Sequence, residues 1–247
     1  MTKLTPILQN LIYTNYLAEL LPFILGLIFI RKIKLKGSKV FFFYTTCVAI
    51  FLLFSIYSKF VLHDRSKQLL TNRFFLILEF VLLSLYYFNN LQFKFKKSFF
   101  AIACGLFIGF SVYDYIITQD PTEFSFQPLV VECLFFALVI IYFFFEKLKY
   151  NITSPIIYNA AFWVSAGFLV YFTGNFFLFL FSKSNQHDPD FKTQYTIIYS
   201  TVTISKNILL SIAVLISAYI QDHQSGLHKP MDIDLGTFNP LKTTTNQ

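Results

Sequence analysis

Seven apolar runs of about 20 residues divide the chain, over 11–30, 40–62, 73–91, 99–117, 127–145, 157–181 and 196–220. A helix of that length spans a hydrocarbon core of about 30 Å. Together the runs take up most of the 247 residues, so the loops are short and leave no room for a second soluble domain. Composition agrees: 55% of residues are hydrophobic, 13% are charged and the mean hydropathy is +0.58, whereas soluble domains carry roughly twice that charge. A water-soluble globule is excluded. With 34 Phe, 15 Tyr, 8 Gly, 8 Pro and 3 Cys, the chain also fits no disordered, collagenous or disulfide-stapled class. The expectation is an all-α polytopic membrane protein, with a seven-helix domain over 1–220 and a flexible cytoplasmic tail over 221–247.

Charge in the loops sets the orientation. Arg31, Lys32, Lys34, Lys36 and Lys39 follow the first run, Lys94, Lys96 and Lys97 the third, and Lys147 and Lys149 the fifth, with Lys229 and Lys242 in the tail. The opposite side has Lys3, Lys59, Arg65, Lys67, Arg73, Lys183 and Lys192, and its loop between the fourth and fifth runs carries Asp120 and Glu123. Basic residues near span ends stay on the cytoplasmic face, so the N-terminus is placed outside and the C-terminus inside. The net charge of +7 then needs no nucleic acid, because a cytoplasmic surface facing anionic lipid accounts for it. The first run is followed by its basic cluster and lacks a small-residue cleavage site, so it reads as a retained anchor. High Phe, Ile, Lys, Asn and Tyr usage suits a bacterial plasma membrane.

Cys47, Cys104 and Cys133 fall within runs, where free Cys behaves as a small hydrophobe. His63, His187, His223 and His228 lie in loops or the tail without metal-ligand spacing, and no metal or cofactor is expected. The glycosylation triplet at Asn151 lies on the expected cytoplasmic side and is discounted. Arg73 is expected to anchor its helix end, and Trp163, the single Trp, to serve packing or the membrane belt.

The odd-numbered runs share one buried ionisable residue ahead of an apolar stretch: Glu19, Glu79, Glu132 and, in the seventh, Lys206. The even-numbered runs align on Ser55, Ser111 and Thr173, with Gly105 and Gly167 each six residues before the hydroxyl. Three related helical hairpins plus a seventh helix would produce this pattern. Small residues mark close approaches in lipid. Ala101, Gly105 and Gly109 form such a ridge on the fourth helix, and Ser200, Thr203, Asn207, Ser211, Val214 and Ala218 a polar face on the seventh; both are expected to point inward.

An ionisable group in mid-bilayer costs roughly 2.5–3.5 kcal/mol, so three Glu and one Lys left unpaired would cost on the order of 10 kcal/mol. They need partners. All four enter from the outer side, and Asn207, Asn175 and Asp114 are expected to join Glu19, Glu79, Glu132 and Lys206 in one chamber that binds a ligand or a proton. Three carboxylates against one ammonium leave an excess of negative charge, which a low-dielectric site resists by retaining protons or recruiting a cation. A proton-, sodium- or amine-responsive pocket follows, with fixed helix packing as the competing role for the same groups.

Two resemblances attach to particular residues. Seven helices with an outer N-terminus and Lys206 in the last resemble a microbial rhodopsin, in which such a lysine carries retinal and an acid on the third helix, here Glu79, is the counter-ion. That family's third-helix Arg, Tyr and Trp pattern and its richer Trp cage are missing. The segments 159–163 (NAAFW) and 171–177 (YFTGNFF) resemble small uncharacterised seven-helix bacterial membrane proteins, some suspected of working beside histidine kinases. The leading expectation is a sensor with an outward polar pocket, signalling through a separate cytoplasmic or membrane partner docked on the basic inner loops and tail. A small secondary transporter using intramembrane carboxylates is the alternative, and a structural membrane subunit the third class. No enzyme is expected, since no Ser-His-Asp, HExxH or paired-Asp arrangement occurs.

Overall fold

The computed structural model describes residues 6–32, 38–58, 65–93, 95–117, 125–150, 156–185 and 188–227. Among these, seven helices are long and apolar enough to cross a membrane, and there is no strand. They are α1 (Pro6–Ile28), α2 (Ser38–Tyr57), α3 (Arg65–Asn90), α4 (Lys96–Ile117), α5 (Gln127–Tyr150), α6 (Ala160–Asn185) and α7 (Pro189–Leu227). The chain is an integral membrane protein. Its surface is inverted relative to a soluble domain: Ile102, Leu106, Leu138, Phe145 and Phe177 are exposed, as lipid contact requires.

Local chemistry sets the ends. Asn159 caps α6, its Oδ1 accepting the Ala161 N–H at 2.9 Å. Asp188 does the same for α7, accepting from the Asp190 N–H at 3.0 Å, and Pro189 takes the first helical position, where a missing N–H costs nothing. Lys147 and Lys149 occupy the last turn of α5 and complement the helix dipole. Trp163 Nε1 donates to the Ile157 carbonyl at 2.7 Å, pinning the short 3₁₀ turn Ile156–Tyr158 to the start of α6.

The helices close on themselves, with α7 packed chiefly against α6 and α1. Glycine sets the α6–α7 distance. A Cβ on Gly174 would stand 2.8 Å from Val202 Cγ2, and one on Gly167 would stand 3.1 Å from the Lys206 carbonyl oxygen. The polar face of α7 points inward as expected, with Ser200, Thr203, Asn207, Ser211, Val214 and Ala218 all buried.

The ridge on α4 does the opposite of what its spacing predicts. Ala101, Gly105 and Gly109 are exposed, and a Cβ on either glycine would meet nothing within 4 Å. The reason is position: α4 sits outside α3 and α5 and buries only a stripe of Phe100, Phe107 and Ser111. Gly105 and Gly167, equated by the spacing, thus occupy unlike surroundings, and the hairpin repeat draws no support from them. Cys47, Cys104 and Cys133 are free thiols within helices. The Asn151 triplet lies outside the described residues. Of the expected tail, α7 takes in 221–227, and 228–247 lie outside the described residues.

Aromatic rings fill the middle of the bundle. Phe80 stacks on Phe107 with centroids 3.9 Å apart and also meets Phe136 at 5.0 Å; Phe136 in turn stacks on Phe172 at 5.3 Å. Tyr44 reaches across from α2 to Phe168 at 5.4 Å. Such pairs contribute about 0.5–1.5 kcal/mol each beyond the area they bury.

Candidate functional site

Toward the end at which the odd-numbered helices begin, the bundle opens into a cavity of about 430 Å³. Every helix except α4 contributes to its wall. Glu19 comes from α1, Glu79 from α3 and Lys206 from α7, so three of the four ionisable residues predicted to meet do meet. Polar groups from α1, α2 and α3 extend the surface through Asn15, Ser55 and Asn72.

The carboxylates are held rather than free to swing. Glu79 Oε1 accepts a hydrogen bond from the Tyr44 hydroxyl at 2.8 Å, and Glu19 Oε1 accepts one from Asn15 Nδ2 at 3.2 Å, one helical turn away. Lys206 is 5% exposed, and its Nζ lies 4.3 Å from the centre of the Tyr171 ring and 6.0 Å from that of Phe168. Among the described residues it makes no direct ion pair; it faces the carboxylates across the cavity and rests on aromatic faces, an arrangement worth about 2 kcal/mol when desolvated.

The rest of the wall is aromatic. Tyr16, Tyr44, Tyr171, Tyr195 and Tyr199 line it with Phe51, Phe75, Phe126 and Phe179. Tyr195 and Tyr199 stack with centroids 5.9 Å apart. Phe80, Phe136, Phe168 and Phe172 are fully buried in the bundle and do not line the cavity.

Four of the predicted site residues do not line the cavity. Glu132, Asn175 and Asn207 are buried behind it, at 1%, 0% and 2% exposure. Glu132 Oε1, both amide atoms of Asn175, Asn207 Nδ2 and Thr203 Oγ1 have no hydrogen-bond partner. Asp114 belongs elsewhere: it accepts a hydrogen bond from Ser125 Oγ at 2.8 Å, joining the end of α4 to the approach to α5. Since α4 stands outside the ring, its polar end cannot reach the chamber. Arg73 lies against the Tyr115 ring at 4.9 Å, at the same peripheral α3–α4 seam.

The sequence reading missed the tyrosines and Glu146. Tyr44, Tyr171 and Tyr199 hold or cover the ionisable groups, but among 15 Tyr and 34 Phe nothing in the sequence sets them apart. Glu146 is 6% exposed, and both its oxygens accept the Gln92 N–H at 3.1 Å, closing the turn after α3. No group of three or more His, Cys, Asp or Glu among the described residues is placed to hold a metal ion. No protein-family model, curated protein or solved structure matches the chain.

Proposed function

We propose that this protein is a cell-membrane sensor that takes a small amine-bearing ligand into the Glu19–Glu79–Lys206 cavity and passes its occupancy along α7 to a separate partner. The observation that carries this reading is the combination of two fixed carboxylates with a wall of Tyr and Phe rings around about 430 Å³, a size typical of small-molecule sites. Carboxylates neutralise an ammonium group, and aromatic faces attract it while accommodating an apolar body.

The route for a signal is the helix that bears Lys206. A cation arriving between Glu19 and Glu79 competes with the Lys206 ammonium for the same charge, so the ligand favours arrangements in which that side chain draws back. A ligand shifts such an equilibrium only by its differential affinity for the two arrangements. Because α7 is locked to α6 at Gly167 and Gly174, the two helices would respond as a pair. With 39 residues, α7 is roughly 58 Å long at 1.5 Å per residue, well beyond a 30 Å hydrocarbon core. The distribution of Lys and Arg favours an outward cavity and a cytoplasmic end of α7, beside the basic loops where a partner would dock.

One observation favours a small secondary transporter as the second reading: Pro22, buried three residues after Glu19, cannot donate to the Ala18 carbonyl, and carriers interrupt helices at their sites. The test is a titration of purified full-length protein with phenethylammonium and n-alkylammonium salts, followed by intrinsic Tyr fluorescence and thermal unfolding. A saturable response is expected, weakened at least about tenfold in Glu79→Gln, which keeps an acceptor for Tyr44 but loses a charge-assisted contact of about 1.5–3 kcal/mol. Absence of saturation in the native chain would overturn the reading. Amine flux into vesicles that vanishes in Glu79→Gln would replace it with the transporter.

A further inference from the structure

The ring contacts along two helix seams place a second set of polar groups at one level behind the cavity. On the α5–α6 seam, Phe136 stacks on Phe172 at 5.3 Å and Phe126, just before α5, stacks against Phe179 at 6.3 Å. The helices run antiparallel, and midway between those two pairs stand Glu132 and Asn175. On the α6–α7 seam, Phe179 meets Tyr199 at 6.5 Å, and Tyr171 carries Lys206 Nζ at 4.3 Å. Midway between these contacts stand Asn175 and Thr203. Three helices therefore bring a carboxylate, an amide and a hydroxyl to the same depth, and all three residues are at most 1% exposed.

None of these groups satisfies another. Glu132 Oε1, Asn175 Oδ1 and Nδ2, and Thr203 Oγ1 all lack a hydrogen-bond partner. Buried polar atoms are almost always paired with protein, water or an ion, so several orphans at one level indicate an occupant. Its chemistry follows from the donors. Carboxylate, amide carbonyl and hydroxyl oxygens suit a hard cation; the one soft donor beside them is the buried Cys133 thiol, and no group of three or more His, Cys, Asp or Glu among the described residues is placed to hold a metal ion. Glu79 and Lys206 both act electrostatically on Glu132, and three carboxylates, Glu19 included, against the one ammonium leave an excess of negative charge that a small monovalent cation offsets. Lys206 Nζ rests on the Tyr171 ring and makes no ion pair with Glu132 among the described residues. A neutral water would bridge the oxygens but leave that excess of charge uncompensated in a low-dielectric interior.

We propose that Glu132, Asn175 and Thr203 bind one sodium ion in an internal site behind the cavity, tying α5, α6 and α7 together. The site does not depend on an amine entering the cavity. Thermal unfolding of the full-length protein in detergent, with sodium chloride exchanged for cesium chloride at equal ionic strength, tests it. At a sodium concentration of about one hundred times Kd, unfolding should occur about 5–10 °C higher than in cesium, whose ion is too large for the gap. Retention of radioactive sodium should follow the same titration. Both effects should disappear in Glu132→Gln and in Thr203→Val; should the first variant fail to fold, the second decides alone. Identical unfolding in the two salts would overturn the proposal, leaving a water or a protonated Glu132 as the occupant. A sodium effect that survives in Thr203→Val would overturn it too, by placing the ion elsewhere. A chain that responds to sodium but not to amines would overturn only the sensor reading.

Discussion

Glu132 and Glu146 stand about four turns apart on α5, nearly on one face, and both are buried, yet their surroundings differ completely. Glu146 gives both oxygens to the Gln92 N–H and so completes a turn in which Lys96 Nζ also donates to the Leu91 carbonyl at 2.9 Å. Glu132 has an oxygen with no partner and neighbours on α6 and α7 in the same condition. A buried acid answered by the backbone is part of the fold. One that faces other unanswered groups marks a place where the fold is incomplete without something further. Burial alone would have treated the two alike.

The contrast breaks most readily on stability. Glu146→Ala strands the Gln92 N–H and removes a charge-assisted bond, and should lower the unfolding free energy by about 1.5–2 kcal/mol in SDS titrations of mixed micelles. Glu132→Gln in sodium-free medium should change it by less than about 1 kcal/mol, since a carboxylate with an unmet oxygen is exchanged for a neutral amide. Equal losses would make Glu132 a packing residue like Glu146.

Two glycine substitutions sharpen the same comparison between a filled seam and an open surface. Gly174→Ala drives a methyl to 2.8 Å from the branched Val202 side chain and should cost about 1 kcal/mol or more, measured by the same titration. Gly105→Ala meets nothing within 4 Å and should stay within about 0.5 kcal/mol of the native value, with any change toward stability because Ala favours helix. A large loss at Gly105 would place a partner against the α4 ridge.

Most of the architecture was legible because lipid imposes one rule on every span: about 20 apolar residues, whatever their order. The ends were less so. The first turns of α7, Pro189 to Tyr195, contain Asp190, Lys192 and Gln194, and a helix continuing beyond the hydrocarbon leaves no hydropathy signal. Glu19, Glu79 and Lys206 could be grouped in advance because charges in apolar runs are rare and need company. Asp114 was grouped wrongly because sequence gives depth along a helix but not the helix's place in the ring. The tyrosines went unseen, since a ring that covers an ammonium and a ring that touches lipid read identically.

The sequence by itself determined that this chain crosses the membrane seven times, which residues carry charge into the apolar layer, and that the seventh helix turns its polar face inward. Hydrophobic length and the cost of burying charge are properties of single segments, and they act before any helix meets another. Only the tertiary structure decided that α4 stands outside, that Glu19, Glu79 and Lys206 share a cavity while Glu132, Asn175 and Thr203 lie behind it, and that Gly167 and Gly174 rather than Gly105 and Gly109 set a close approach. Those outcomes depend on helix order and rotation, which arise from side-chain packing between segments far apart in the chain, and no single stretch of sequence encodes them.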